Sequence, residues 1–151
     1  MIVQDPRQVR AALRRLLITN CSLAAVLRPS GTPMSMPYVN ALLTLGATSE
    51  PLSIADLART LQIDRTNVSR LCARMEEVGE LTRMVNPADR RSRLVRLTER
   101  GRELAQHVDA CSAEQFEQVL LALNERGSEV VEALTQLADA MESASSKVIA
   151  E

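Results

Sequence analysis

The sequence predicts a mainly α-helical fold that carries one small β-hairpin. Three observations lead there. Of 151 residues, one is Phe, one is Tyr and none is Trp, while Leu, Ala, Arg and Glu, all good helix formers, are abundant. Apolar residues recur three and four apart along most of the chain and alternate only in one short middle stretch. Good capping residues stand at the start of several of the periodic segments. The length fits one compact domain or two small lobes, and 46% apolar with 25% charged residues is ordinary globular usage.

The elements follow in order. Asp5 is an N-cap with Pro6 at the first helical position and Gln8 completing a box-like pattern. Val9, Leu13, Leu16, Leu17, Leu23, Ala24 and Leu27 then keep the helical period until Pro29 and Gly31 end it. Ser35-Met36-Pro37 opens a second, mostly apolar helix through Tyr38, Leu42, Leu43 and Leu45, closed by Gly46. Ser53-Ile54-Ala55-Asp56 reads as a capping box ahead of Leu57, Ala58 and Leu61. After a turn at Gln62-Ile63, Asp64 caps the next helix. Its inner face is Val68, Leu71, Cys72, Met75 and Val78, and Gly79 sits where a C-terminal glycine belongs. Two short capped helices across so tight a turn read as helix-turn-helix. Leu81–Val85 and Leu94–Leu97, separated by Asn86-Pro87-Ala88-Asp89, read as a β-hairpin, a wing beside that motif. Thr98 caps a long helix through Leu104, Val108, Cys111, Val119 and Leu120, and Asn124 is expected to cap a last one through Val130, Leu134, Leu137 and Met141. The whole is a winged helix-turn-helix lobe with long helices on either side.

Charge points to a function. Residues 59–102 hold eleven Arg against six acids, net +5, while the rest of the chain is net -6, summing to the overall -1. A basic block inside an acidic protein is a candidate phosphate-facing surface. The outward face of the helix after Asp64 carries Arg65, Thr66, Asn67, Ser69, Arg70 and Arg74. Arg bonds guanine O6 and N7 in a bidentate fashion, and Asn does so at adenine N6 and N7, so this helix suits a major groove. The hairpin tip, Asp89-Arg90-Arg91-Ser92-Arg93, concentrates three guanidinium groups on a short loop, which suits a narrow minor groove. Asp89 is expected to hold the Arg91 guanidinium by a paired hydrogen bond.

Other classes fare poorly. One His, no Gly-rich phosphate loop, no metal-ligand cluster and no nucleophile–His pair argue against an enzyme, a cofactor or a metal. No apolar run is long enough for a membrane span, and the N-terminus does not read as a secretory signal. Cys21, Cys72 and Cys111 form no close pair, which fits a reducing cytoplasm.

Ser53 to Gly101 resembles the DNA-binding lobe of the MarR-type winged-helix transcription regulators. The resemblance rests on Leu57-Ala58, Thr66 with Val68-Ser69-Arg70-Leu71, Met75-Glu76, Gly79, Asp89-x-Arg91 and Val95-x-Leu97-Thr98-x-x-Gly101. Glu80, Met84 and Gln62 depart from it: the family usually has an apolar residue, a second basic residue and a glycine there. The resemblance implies dimerisation helices at 1–33 and 102–151 around a DNA-binding lobe at 34–101. It implies major-groove contacts from Thr66, Asn67, Ser69, Arg70 and Arg74 and a minor-groove role for Arg91. A homodimer would read an inverted-repeat operator in double-stranded DNA, and a small aromatic effector would release it; Met34, Met36, Tyr38, His107 and Cys111 are the residues that could approach such a ligand. The expected function is a dimeric repressor. Two alternatives stand beside it: a winged-helix protein–protein adaptor, favoured by Glu76, Glu77, Glu80 and Met84, and a thiol-based redox sensor using Cys21.

Overall fold

The computed structural model describes residues 5–23 and 28–148, with side chains over 5–20 and 28–145. Ala24 and Leu27 and the side chains of Cys21 and Leu23 therefore lie outside the described residues. The chain forms two compact units, Met1–Ser112 and Ala113–Glu151.

In the first unit, α1 spans Pro6–Leu23, and Asp5 Oδ1 accepts from the Arg7 backbone N–H at 2.9 Å. Its apolar residues Leu16, Leu17 and Ile18 remain exposed. α2 (Met36–Gly46) is the opposite case: Tyr38, Val39, Ala41, Leu42 and Leu45 are all buried. α3 (Ile54–Leu61) starts on the capping box, with the Ser53 hydroxyl accepting from Asp56 N–H at 3.0 Å and donating to Asp56 Oδ2 at 2.6 Å. That hydrogen bond from Ser53 is the leading reason the Asp56 carboxyl sits below its usual range. α4 (Arg65–Glu77) starts on Asp64, whose Oδ1 accepts from Asn67 N–H at 2.9 Å. Gly79, at φ +76°, ends it in the left-handed region, and Glu80 N–H returns to the Met75 carbonyl.

The hairpin is β2 (Leu81–Val85) and β3 (Arg93–Leu97), paired antiparallel from Leu81↔Leu97 to Val85↔Arg93. The sheet has a third strand that the sequence reading missed. β1, Leu52–Ser53, adds to β3 to give the order β1-β3-β2, and two residues are too short to leave a periodic signal. Leu81, Val95 and Leu97 face the core with Leu42, Leu57, Val68, Cys72 and Met75. Burial of each such side chain contributes roughly 1.5–3 kcal/mol. α5 (Glu99–Leu123) enters on Thr98, whose Oγ1 accepts from Gly101 N–H and donates to the Gly79 carbonyl. Leu104, Ala105 and Val108 complete the core.

The second unit holds the C-terminal part of α5, a 3₁₀ turn at Asn124–Arg126 and α6 (Gly127–Val148). Asn124 does not act as the expected side-chain N-cap. It sits at φ +51° and makes the break between the two helices through its backbone, a conformation Asn tolerates better than most residues. Phe116, Leu120, Leu121, Val131, Leu134 and Met141 are exposed.

Candidate nucleic-acid interface

Burial of Val68, Cys72 and Met75 fixes the rotation of α4 about its axis. Arg65, Thr66, Asn67, Arg70 and Arg74 are exposed as a result, and Ser69 is partly covered. Between this helix and the wing runs a groove of about 680 Å³. Arg65, Thr66, Ser69 and Arg70 line one side, Asp89, Arg91, Ser92 and Arg93 the other, with Ser53, Ile54 and Ala55 at one end. Asn67 and Arg74 line a smaller cleft with Arg70, Leu71, Ile63 and Pro37, and Arg90 lines neither.

The wing tip differs from expectation in one detail. The Asp89 carboxylate accepts from the backbone N–H of Arg91 at 2.9 Å, not from its guanidinium. Asp89 thus shapes the turn, with Ala88 N–H on Asn86 Oδ1 and Asn86 Nδ2 donating to Ser92 Oγ, and leaves the Arg91 head group in solvent. Arg93 opens β3, and its Nη1 donates to the carbonyls of Arg90 and Ser92, so it braces the tip. Asn67 is also engaged: its Nδ2 donates to Asp64 Oδ2. Bidentate reading of adenine would need that amide to leave its cap.

Two further residues have roles that the sequence reading did not assign. Arg83 shares a sheet face with Leu81 and, across the ladder, Val95, because alternate residues of a strand face the same way. This face is apolar at the base and cationic where it projects over α4. Arg83 Nη2 donates to the Ser69 carbonyl at 3.3 Å, and its Nε lies 3.0 Å from Glu76 Oε2. The Nε–H is buried and forms no hydrogen bond, so charge holds that contact. The period-2 position of Arg83 was the available signal.

Glu80 is the second. It is 1% exposed, yet it occupies a position where the resemblance leads one to expect an apolar side chain. Arg28 grips both carboxylate oxygens, the Nη2 bond measuring 3.2 Å, and the Tyr38 hydroxyl donates to Oε2. The guanidinium also lies 5.1 Å from the Tyr38 ring centre. The bond to Glu80 raises the Arg28 pKa further, while burial and then Glu80 push the Tyr38 hydroxyl up to about 12. A buried carboxylate is tolerated when every partner is in place. Glu80 thus leaves the acidic surface that favoured an adaptor, and Glu76 is paired with Arg83.

Of the residues considered for effector or thiol chemistry, Met34 and Tyr38 are core, and Met36 and Cys111 are partly covered. Cys111 Sγ lies 3.7 Å from His107 Nε2. Burial pushes the Cys72 thiol up to about 11. Among the described residues no group of His, Cys, Asp and Glu could hold a metal ion, and no helix is long and apolar enough to cross a membrane.

Fold and site together define a winged helix-turn-helix protein built around a cationic groove. Residues 32–92 match the MarR family. The chain is similar to the transcriptional activatory protein BadR of Rhodopseudomonas palustris, at 43% identity over 65 residues, which is 40% of this chain and 37% of BadR. The match therefore spans little more than a third of that relative's length. Two solved structures share the fold over most of both chains. FabT of Streptococcus pneumoniae, in complex with DNA, has a TM-score of 0.78 at 19% identity, covering 93% of this chain and 99% of its own. BpsR of Bordetella bronchiseptica, whose DNA binding is regulated by 6-hydroxynicotinic acid, has a TM-score of 0.72 at 22% identity, covering 87% and 98%.

Proposed function

We propose that this protein is a non-enzymatic, cytoplasmic transcriptional regulator that binds double-stranded DNA as a homodimer at an inverted-repeat operator. One observation carries the reading: Arg65, Arg70, Arg91 and Arg93, together with Arg83 that is paired to Glu76, line one groove between α4 and the wing, and Asp89 is the single acid among the residues lining it. A duplex presents a phosphate charge about every 1.7 Å along its axis, and a groove of this sign and shape complements it. Arg65, Thr66, Ser69 and Arg70 would enter the major groove, with Asn67 and Arg74 on the flank. Arg91 would reach the adjacent minor groove, with Arg90 outside the groove proper and Asp89 and Arg93 shaping the tip.

The division of labour is 34–101 for DNA and 1–33 with 102–151 for dimerisation. Support for the dimer is the apolar surface left on α1 and on the C-terminal unit, which a second copy would cover. Half-sites would then lie about one helical turn apart. A bound dimer excludes other proteins from its site, so repression is the proposed action, with release by a small aromatic effector. BadR is an activator by name, and the sign at a given promoter follows from where the operator lies.

The test is selection of bound fragments from genomic DNA, then titration of the recovered duplexes by fluorescence anisotropy at several salt concentrations. The expected result is an enriched inverted repeat and affinity that falls steeply with salt. Arg91→Ala should weaken binding to all duplexes and lower the salt slope by about one. Flat, weak binding by the native chain would exclude the regulator reading.

A further inference from the structure

Reading a duplex with a helix and a hairpin at once requires a fixed spacing between them. A two-stranded ribbon that projects beyond its core has no packing to hold it there. In this chain the inner face of the ribbon has no buried apolar residue beyond Val95, and Val85, which follows Arg83 on that face, is exposed. Apolar contact therefore cannot fix where the outer half of the wing stands over α4.

Arg83 sits at that point. Its side chain is three-quarters covered and crosses from β2 to α4, where it meets the carbonyl of Ser69 and the carboxylate of Glu76, residues two helical turns apart. Ser69 is one of the side chains lining the groove. One planar, forked cation thus touches the backbone of the helix that faces the groove while belonging to the strand that carries the wing.

We propose that Arg83 is a positioning residue: a strut that sets the distance between α4 and the wing, with Glu76 as the counter-ion that keeps its charge turned towards the helix rather than towards DNA phosphates. The proposal rests on the DNA-binding reading for its consequence but not for its mechanics. Lysine cannot replace Arg83, because a point charge on a flexible stem meets one partner at a time and the fork meets two.

The experiment uses the full chain and its variants Arg83→Gln, Arg83→Lys and Glu76→Gln. The first readout needs no DNA: amide hydrogen exchange over 83–95, with core amides such as Leu42 and Val108 as internal reference. All three variants are expected to speed wing exchange about 10-fold while the core stays at native protection. The second readout is anisotropy with two labelled duplexes of roughly 30 base pairs, one recovered from the genomic selection and one scrambled. Arg83→Lys and Arg83→Gln are both expected to lose about 10-fold of the preference for the selected duplex. Glu76→Gln should steepen the salt slope by about one, as the released guanidinium reaches a phosphate.

Unchanged wing exchange in Arg83→Gln overturns the strut. So does Arg83→Lys behaving as native on both duplexes, which would make Arg83 a plain phosphate contact. Core and wing exchanging faster together would assign Arg83 to general stability and overturn it too. If the native chain selects no duplex, the DNA reading fails, and the exchange data still decide the mechanics.

Discussion

Glu80 and its partners show how a single side chain can contradict its neighbourhood and still belong to it. The carboxylate is buried, but Arg28 and Tyr38 supply the charge and the proton donor that burial requires. Replacing Tyr38 by Phe leaves one carboxylate oxygen short of a donor and should cost about 1–3 kcal/mol at neutral pH. The Tyr38 hydroxyl titrates at about 12 in the fold and near 10 when exposed, so the fold favours its neutral form. That stabilisation is complete below pH 10 and is lost as the pH rises from 10 to 12. Cys72, raised to about 11 from an ordinary 9.0, loses its share between pH 9 and 11 in the same way. Thermal unfolding of the native chain and Tyr38→Phe is therefore expected to show a gap that is widest near neutrality and closes towards pH 12. A gap constant from pH 8 to 12 would detach the hydroxyl from Glu80. In the native state the Cys72 thiol, fully buried, should resist thiol reagents that modify it readily after unfolding.

Two backbone positions decide how the elements meet. A Cβ on Gly101 would come 2.0 Å from the Glu80 carbonyl oxygen, so α5 can cross the start of β2 only because that residue has no side chain. Gly101→Ala is expected to cost more than about 4 kcal/mol by chemical denaturation. Gln62 ends α3 at φ +53°, where glycine carries no penalty, and Gln62→Gly should stabilise the lobe by about 1 kcal/mol. The helices, the caps at Asp5, Ser53, Asp64 and Thr98 and the paired strands were legible in the sequence, because caps and periodicity are local signals; the expected cap at Asn124 was not one. β1 was not, since a two-residue strand is defined only by its partner. Of the groove, the exposed face of α4 and the wing tip could be read from residue type and spacing. What Asp89, Asn67 and Arg93 bond to could not, because turn geometry sets those choices. The pairings of Arg83 and Glu80 escaped for a related reason: their partners lie 7 to 52 positions away, and no short pattern encodes them.

At the scale of the molecule, the balance of covered and uncovered apolar surface carries the prediction. Leu17 is 65% exposed in the isolated chain. Leu17→Asp should leave the lobe folded by circular dichroism, shift sedimentation from twice the chain mass to once, and weaken duplex binding at least ~10-fold as the second half-site is lost. A variant that sediments as the native protein would remove α1 from the interface. The Glu80 cluster has a further consequence. It ties residue 80 to Tyr38 and Arg28, 42 and 52 positions earlier, so the helix and wing that would choose a DNA sequence are wired to a segment outside them. A chimera that grafts residues 60–97 of this chain into a relative brings a buried carboxylate without its cation. Recognition in this protein is not a cassette: it has to be transplanted together with residues 28–38, or with residue 80 made apolar first.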